Sequence, residues 1–262
     1  MCTSKRHIGA RYAAALALVP ALASFAGQLA TPDHRATFKR AIVSGGALPR
    51  WSGGFLVSWQ RNTLPADTRD NLVVYDRDGG VVAKWRLWFP DASLVKIVDA
   101  AASPDGHLAI TGLAVNASGA LACFLGSVSI GEATARVIQT SPFEGRRIEF
   151  GPDGTIWVLG WELGEMRKIT TAPEHSTLRR YNRAGKLIGE HLRWPAINCG
   201  LHPARESDGS SPQLAASSDR IGVFLPGCRV WMEFSPQGEI IGSLQWHYPH
   251  PLQEGLRKLQ LF

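Results

Sequence analysis

The stretch RRIEFGPDGTIWVLGWE at residues 146–162 decides the fold of this chain. A polar Gly-Pro-Asp-Gly turn separates two runs of strand-forming residues, which is the pattern of a β-hairpin. A similar stretch, VDAAASPDGHLAITGLA, occurs at residues 98–114. The recurrence of one hairpin pattern along the chain indicates a repeated β-structure.

Two turn patterns recur four times each. In the first, a turn precedes an apolar run: SGGFLVSW at 52–59, PDGHLAITG at 104–112, PDGTIWVLG at 152–160 and SDRIGVFLPG at 218–227. The second pattern lies downstream of each: VYDRDGGVVAKW at 74–85, GSVSIGEATARV at 126–137, RYNRAGKLIGEH at 180–191 and EFSPQGEIIGSL at 233–244. The glycines of the second pattern are 52, 54 and 53 residues apart: Gly79, Gly131, Gly185 and Gly238.

A period of about 53 residues that holds two hairpins predicts a four-stranded antiparallel sheet, repeated along the chain. One such sheet cannot bury both of its faces, so neighbouring sheets must stack. The sequence therefore predicts an all-β, β-propeller-like fold of four to five four-stranded antiparallel blades. We expect the turn glycines to supply positive φ angles and the recurring Trp88, Trp194 and Trp246 to pack between blades.

The order of strand, Asp-Gly turn, strand, aromatic-Asp/Asn/Ser-x-x-Gly and strand resembles the NHL-type and six-bladed β-propeller repeats of bacterial secreted proteins. The resemblance covers residues 40–250. It implies a binding platform for proteins or glycans, or a hydrolase, lactonase or lyase with an axial metal, so it leaves the function open. Such relatives close with six blades, whereas this chain has the length for four and a fraction. A small ring, an open arc that closes by dimerising, and a shortened copy of a longer propeller remain alternatives.

The first 26 residues have the pattern of a secretory signal peptide. Three basic residues precede an apolar, alanine-rich run at 12–26, which ends in Ser24-Phe25-Ala26. A membrane anchor is the alternative, but the run contains Pro20 and is shorter than the roughly 20 residues that a spanning helix needs. We expect residues 1–26 to be removed on export to the periplasm or exterior, which leaves no transmembrane segment. Residues 37–262 then form a single β-propeller-like domain.

The charge of the chain gives little support for nucleic-acid binding. Its 28 Lys and Arg exceed its 22 Asp and Glu by six, but three of the basic residues belong to the leader. The mature chain therefore carries a net charge of only +3 and has no long basic run. We expect a mixed, solvated surface and no nucleic-acid partner.

The cysteines give one structural expectation. In an oxidising compartment, Cys199 and Cys228 are the plausible disulfide pair. The bond would close a loop of about 30 residues and contribute roughly 3–4 kcal/mol. The alternative is that these two cysteines and Cys123 are buried free thiols.

The long connections indicate where a site could lie. If the strands of a blade are labelled a to d, the a–b and c–d turns lie at one end of the blade and are short. The long b–c and d–a connections lie at the other end, here called the loop face, and long loops on a rigid scaffold commonly carry binding residues. The connections are QRNTLPADTRDN at 60–71, WELGEMRKITTAPEHS at 161–176 and PAINCGLHPARESDGSSP at 195–212. Their candidate binding residues are Asp67, Arg69, Asp70, Trp161, Glu162, Glu165, Arg167, His175, His202, Arg205, Glu206 and Asp208.

Motifs for specific chemistry are sparse. Asp76-x-Asp78-Gly79 resembles the start of a calcium loop but lacks the later acidic ligand, so we interpret it as a hairpin turn. The pair His247 and His250 is separated by Pro249 and is not a zincin motif. No catalytic residue can be named from sequence.

The sequence thus predicts an exported, non-catalytic binding or scaffold module without a cofactor, with a protein or glycan as its ligand. The alternative is a metal-dependent propeller enzyme, a hydrolase, lactonase or lyase, that holds Ca²⁺ or Zn²⁺ near the axis. If the ring of blades is open and closes by dimerising, we expect the protein to be an oligomer.

Overall fold

The computed structural model describes residues 47–163, 175–197 and 211–245. These ranges contain seventeen β-strands, a four-residue helix (Trp194–Ile197) and a short 3-10 helix (Pro226–Cys228). The strands are β1 (Ala47–Ser52), β2 (Phe55–Gln60), β3 (Asn62–Thr63), β4 (Leu72–Tyr75), β5 (Val81–Trp85), β6 (Ala92–Ala102), β7 (His107–Asn116), β8 (Leu121–Ser129), β9 (Arg136–Gln139), β10 (Phe143–Phe150), β11 (Ile156–Glu162), β12 (Ser176–Tyr181), β13 (Leu187–Arg193), β14 (Gln213–Ala216), β15 (Ile221–Leu225), β16 (Val230–Phe234) and β17 (Ile240–Gln245).

The strands form four antiparallel sheets, one for each repeat of the sequence. Blade 1 has the order β1-β2-β4-β5, blade 2 β6-β7-β8-β9, blade 3 β10-β11-β12-β13 and blade 4 β14-β15-β16-β17. Each blade is an up-and-down meander, because its strands pair in the order in which they occur along the chain. The two-residue strand β3 pairs with β6 and extends blade 2 by a fifth strand. The predicted all-β fold of four to five antiparallel blades is therefore confirmed, with four blades in the described residues.

The turns follow the predicted positions with one exception. Gly79, Gly185 and Gly238 in the c–d turns have φ angles of 81°, 79° and 97°, the left-handed region that favours glycine. Gly131 occupies the matching place in blade 2 but does not have a positive φ. That turn is instead closed by a hydrogen bond from the Glu132 amide to the Ser129 carbonyl. The expectation for Gly131 was wrong, because this turn closes without a left-handed residue.

Three apolar clusters join successive blades. The first contains Val57 and Val74 of blade 1 with Ile97 of blade 2, all fully buried. The second joins blade 2 to Phe143 and Ile148 of blade 3. The third joins blade 3 to blade 4 and includes these residues: Trp157, Leu159, Leu178, Ile221, Val223 and Phe234. Neighbouring sheets thus share their apolar faces, which is how a stack of amphipathic blades buries its core.

His191 lies at the interface between blades 3 and 4. Its ring stacks on Trp157 at a centroid distance of 5.2 Å. A Cβ added to Gly238 in blade 4 would lie only 1.9 Å from the same ring, so glycine is needed for this close approach. Burial, together with the nearby positive charge of Arg180, lowers the pKa of His191.

Several predictions from the sequence fall partly outside the described residues. The predicted signal peptide and the side chains of Trp194 and Trp246 lie outside them, whereas Trp88 packs at the edge of the first cluster. Cys123 is free and buried, and Cys228 is disulfide-bonded. Because Cys199 is not described, its pairing with Cys228 stays a prediction. In the part of the chain that the structure describes, no helix has the length and apolarity to cross a bilayer.

Candidate functional site

The a–b turns of all four blades surround one cavity of about 750 Å³, which we call the axial cavity. It lies at the end of the blades opposite to the loop face. Blade 1 contributes the turn after β1, blade 2 the turn after β6, blade 3 the turn after β10 and blade 4 the turn after β14. The lining residues are Trp51, Ser52, Gly53, Gly54, Ala102, Ser103, Pro104, Asp105, Glu149, Phe150, Gly151, Pro152, Gly154, Arg183, Ala216, Ser217 and Ser218.

An ion network connects three blades and reaches the axial cavity through Glu149, whose position we call the floor of the cavity. Arg50, on β1, extends its guanidinium between β6 and β10. Its Nη1 is 2.9 Å from Oδ2 of Asp99 and donates to the Ile148 carbonyl at 2.7 Å. Its Nη2 pairs with Oε2 of Glu149. One arginine thus bonds to two carboxylates from two other blades, and we call these three residues the Arg50 network.

Both carboxyl groups of the network are poorly solvated. The Asp99 side chain is 5% exposed, and Oδ2 also accepts the Ile148 amide at 3.0 Å. Burial raises the pKa of Asp99 and of Glu149, while the positive charge of Arg50 opposes the rise. Glu149 is the member of the network that also lines the cavity. A ligand at the floor would therefore contact the Glu149 carboxylate, which is already bonded to Arg50.

The rim of the cavity carries one carboxylate, Asp105, that is paired with an arginine. Asp105 lies 2.5 Å from Nη1 of Arg183, which comes from the c–d turn of blade 3. Hydrogen bonds from Ser103 and Arg183 lower the pKa of Asp105. In the equivalent turns, which the cavity lining reaches at neighbouring residues, Asp153 pairs with Arg180 at 2.7 Å, and Arg220 pairs with both Asp219 and Glu233 at 2.9 Å. An aspartate bonded to an arginine therefore recurs in the a–b turns of three blades.

Two aromatic residues belong to the wall. Trp51, at the end of β1, is 40% exposed, whereas Phe150 of blade 3 is 6% exposed and packs in the core cluster between blades 2 and 3. The cavity thus combines an exposed indole, serine hydroxyls and charged groups. A concave site with a few placed polar groups and aromatic walls has the composition of a small-molecule site.

The described candidates on the loop face are placed in different ways. Asp67 accepts the Leu64 amide at 2.8 Å within its own loop, and the exposed Asp70 lies 3.5 Å from Lys84. Arg69 is exposed, and His175 is partly buried immediately before β12. None of these four lines the axial cavity.

Two further candidates, Trp161 and Glu162, are buried and contribute to the packing of the blades. Trp161 is 3% exposed and belongs to the cluster between blades 3 and 4. Glu162 is 6% exposed and pairs with Arg179, whose guanidinium also lies 4.3 Å from the ring centroid of Phe143. These side chains hold blade 3 together, so they are poor candidates for contact with a ligand.

The remaining candidates lie outside the described residues: Glu165, Arg167, His202, Arg205, Glu206 and Asp208. The proposed role of the loop face therefore stays a prediction. Within residues 47–163, 175–197 and 211–245, no three His, Cys, Asp or Glu side chains form a group that could hold a metal ion.

The Arg50 network was not predicted from the sequence, although the sequence contains a signal for it. Asp99 interrupts the apolar end of a strand just before an a–b turn, in VDAAA, and Glu149 stands at the matching place of the next repeat, in RRIEF. A charged residue inside a buried run needs a partner, because an unpaired buried charge is costly. Acids at the same place in successive repeats therefore indicate a nearby cation.

A further cavity of about 360 Å³ lies at the loop-face end of blade 2. Its walls are mostly apolar and include Phe89, Leu121 and Phe124. Cys123 also lines it, and burial raises the pKa of this thiol to about 11. A thiol with so high a pKa stays protonated and is a weak nucleophile.

The strand topology and the axial cavity define the class of this protein as a four-bladed β-propeller with a polar axial site. No protein-family model and no curated protein matches the chain. The NHL-type assignment therefore stays a prediction.

Solved structures resemble the chain at low identity. A protein of unknown function from Bacteroides caccae has 11% identity and a TM-score of 0.42, over 77% of this chain and 62% of that chain. A streptogramin B lyase has 13% identity and a TM-score of 0.38, over 81% and 72%. A functionally unknown protein from Desulfotomaculum acetoxidans has 15% identity and a TM-score of 0.34, over 75% and 70%. This chain spans less than two thirds of the Bacteroides caccae protein.

Proposed function

We propose that this chain is an exported, non-catalytic β-propeller that binds a small polar ligand in the axial cavity. The observation that carries the proposal is the construction of the cavity, because all four blades contribute to its wall. A site that exists only when every blade is in place is a product of the whole fold. Its volume of about 750 Å³ lies within the usual range for small-molecule pockets.

The bonding of the acidic groups favours binding over catalysis. In Glu149, Oε2 pairs with Arg50 and Oε1 accepts the Phe150 amide at 3.1 Å. Asp105 is engaged by Ser103 and Arg183. A general acid or base needs an oxygen that can exchange a proton with substrate, whereas these oxygens are held by fixed donors. Such groups are suited to orient a ligand by charge and hydrogen bonding.

The test is a ligand screen against the protein and a variant with a filled cavity. Ser218 is exposed and lines the cavity in blade 4, so Ser218→Trp places an indole in the opening without removing a core contact. Ser118 is an exposed turn serine at the opposite end of blade 2, which makes Ser118→Trp a matched control. Saturation-transfer NMR with a panel of monosaccharides, amino acids and polyols should give ligands that Ser218→Trp loses and Ser118→Trp keeps.

Two results would contradict the proposal. Ligands that bind Ser218→Trp as well as the unchanged protein would place binding elsewhere, for instance on the loop face. A clear rise in melting temperature after EDTA treatment and addition of Ca²⁺, Zn²⁺ or Mn²⁺ would favour the metal-dependent enzyme, since a metal at about 100 times its Kd stabilises a protein by roughly 2.7 kcal/mol.

A further inference from the structure

The distribution of charge around the axial cavity is uneven. Among the acidic residues that line it, Asp105 pairs with Arg183, which lines the cavity as well. At the floor, Asp99 and Glu149 share the single guanidinium of Arg50. The excess negative charge of the described site therefore lies at the floor, where one of the two carboxylates lines the cavity.

Aromatic rings lie beside this excess charge. Trp51 and Phe150 line the same cavity as Glu149, and Trp51 has 40% of its surface exposed. The face of an aromatic ring attracts a cation, tryptophan most strongly, and the attraction increases when the cation is removed from water. A carboxylate beside an exposed tryptophan in a concave space is a chemical environment that recognises an organic ammonium group.

We propose that the axial cavity binds a small organic cation, with its ammonium group near Glu149 and its apolar part against Trp51. The inference rests on the proposed function, since it assumes that the cavity is a ligand site. It adds the charge of the ligand, which the cavity's volume and shape alone do not give. The ammonium compensates the negative charge that remains where Asp99 and Glu149 share Arg50, while the paired Asp105 and Arg183 leave room for neutral polar groups of the ligand at the turns.

The experiment compares cations with neutral molecules of the same shape. The first pair of probes is choline and 3,3-dimethylbutan-1-ol, in which a carbon replaces the ammonium nitrogen. The second is glucosamine and N-acetylglucosamine, in which acetylation removes the charge. Isothermal titration calorimetry of the unchanged protein should give saturable binding of a cation, with its neutral partner weaker by at least about tenfold, because a buried charge gains from a nearby opposite charge.

Two variants and a control test whether the preference for a cation arises in the axial cavity. Glu149→Gln leaves Arg50 and Asp99 as a neutral pair and should weaken the cation by about tenfold while leaving the neutral probe unchanged. Ser218→Trp should abolish binding of both, and Ser118→Trp should change neither. If Glu149→Gln does not fold, the two pairs of probes and the Ser218→Trp variant still decide the question.

The outcomes separate this inference from the proposed function. Equal binding of cation and neutral partner, both lost in Ser218→Trp, would overturn the cationic ligand and leave the cavity as a binding site. Binding that survives Ser218→Trp would overturn both. Absence of saturable binding by any of the four probes would overturn the cationic ligand, while the wider panel of neutral molecules still tests the cavity.

Discussion

Replacement of Arg50 by methionine tests whether the Arg50 network holds the blades together. Methionine keeps much of the length and packing of the arginine stem but removes the charge and every donor. The substitution breaks the bonds to Asp99, Glu149 and the Ile148 carbonyl at once. Asp99 and Glu149 are then two poorly solvated carboxylates of like charge without their shared cation.

The expected cost follows from this geometry. Loss of one partner from a buried ion pair costs about 3–5 kcal/mol, because the remaining charge is uncompensated. A domain of this kind has a total stability of about 5–15 kcal/mol, so Arg50→Met should remove a large part of it. The exposed pair of Lys84 and Asp70, at 3.5 Å, is the comparison, because Lys84→Met should cost less than about 1 kcal/mol.

Protonation should reduce this cost at low pH. Without Arg50, the folded-state pKa values of Asp99 and Glu149 rise further above their unfolded values of about 3.9 and 4.3. A carboxyl group with a raised folded pKa stabilises the protein below its unfolded pKa and loses that contribution as pH rises through the folded value. The deficit of Arg50→Met should therefore be largest near pH 7 and should decrease towards pH 4.

The assay is equilibrium unfolding in urea at pH 7 and pH 5. A triple variant, Arg50→Met with Asp99→Asn and Glu149→Gln, removes all three charges and should recover much of the loss at pH 7, because no unpaired charge remains. The reasoning fails if Arg50→Met costs no more than Lys84→Met, or if the triple variant is no more stable at pH 7 than Arg50→Met.

Three further predictions concern other parts of the fold. The pKa of His191 in the folded protein lies below its unfolded value of about 6.5, so its contribution to stability is present above that pH and is lost as the pH falls. Between pH 7.5 and pH 5.5, the melting temperature of His191→Phe should therefore fall less than that of the unchanged protein. A Cβ on Gly160 would lie 2.2 Å from the Glu144 carbonyl, so Gly160→Ala should cost about 1–3 kcal/mol in urea unfolding, whereas Gly131→Ala, with open space around it, should be nearly neutral. Cys123 is buried with a pKa of about 11, so iodoacetamide at pH 7.5 should label it only after unfolding; labelling of the folded protein would contradict this.

The blade architecture was predictable because its signals are local. Each hairpin is specified by a few turn residues, as in the PDG sequences before β7 and β11, and the period of about 53 residues repeats the arrangement. Gly131 is the exception, since a glycine at the repeated position does not by itself produce a left-handed turn. Local patterns give the blades, but the details of each turn depend on its own hydrogen bonds.

The candidate site was less predictable because it joins residues from different blades. The sequence pointed to the loop face on account of loop length, whereas the axial cavity is built from the short turns at the other end. Arg50 and Asp99 are separated by 49 residues, and only the packing of one blade against the next brings them together. Their pairing depends on the angle and register between blades, which the repeat alone does not specify.

The position of Arg50 has a consequence for how the protein folds. Each meander can form from contacts within its own repeat, but Arg50 reaches Asp99 across 49 residues and Glu149 across 99. Contacts of such long range are made late, since the entropy of closing the chain must first be overcome. Without blade 1, Asp99 and Glu149 lack their shared cation. The network therefore couples the packing of blade 1 to the contact between blades 2 and 3, so that the three blades stabilise one another jointly rather than in successive pairs.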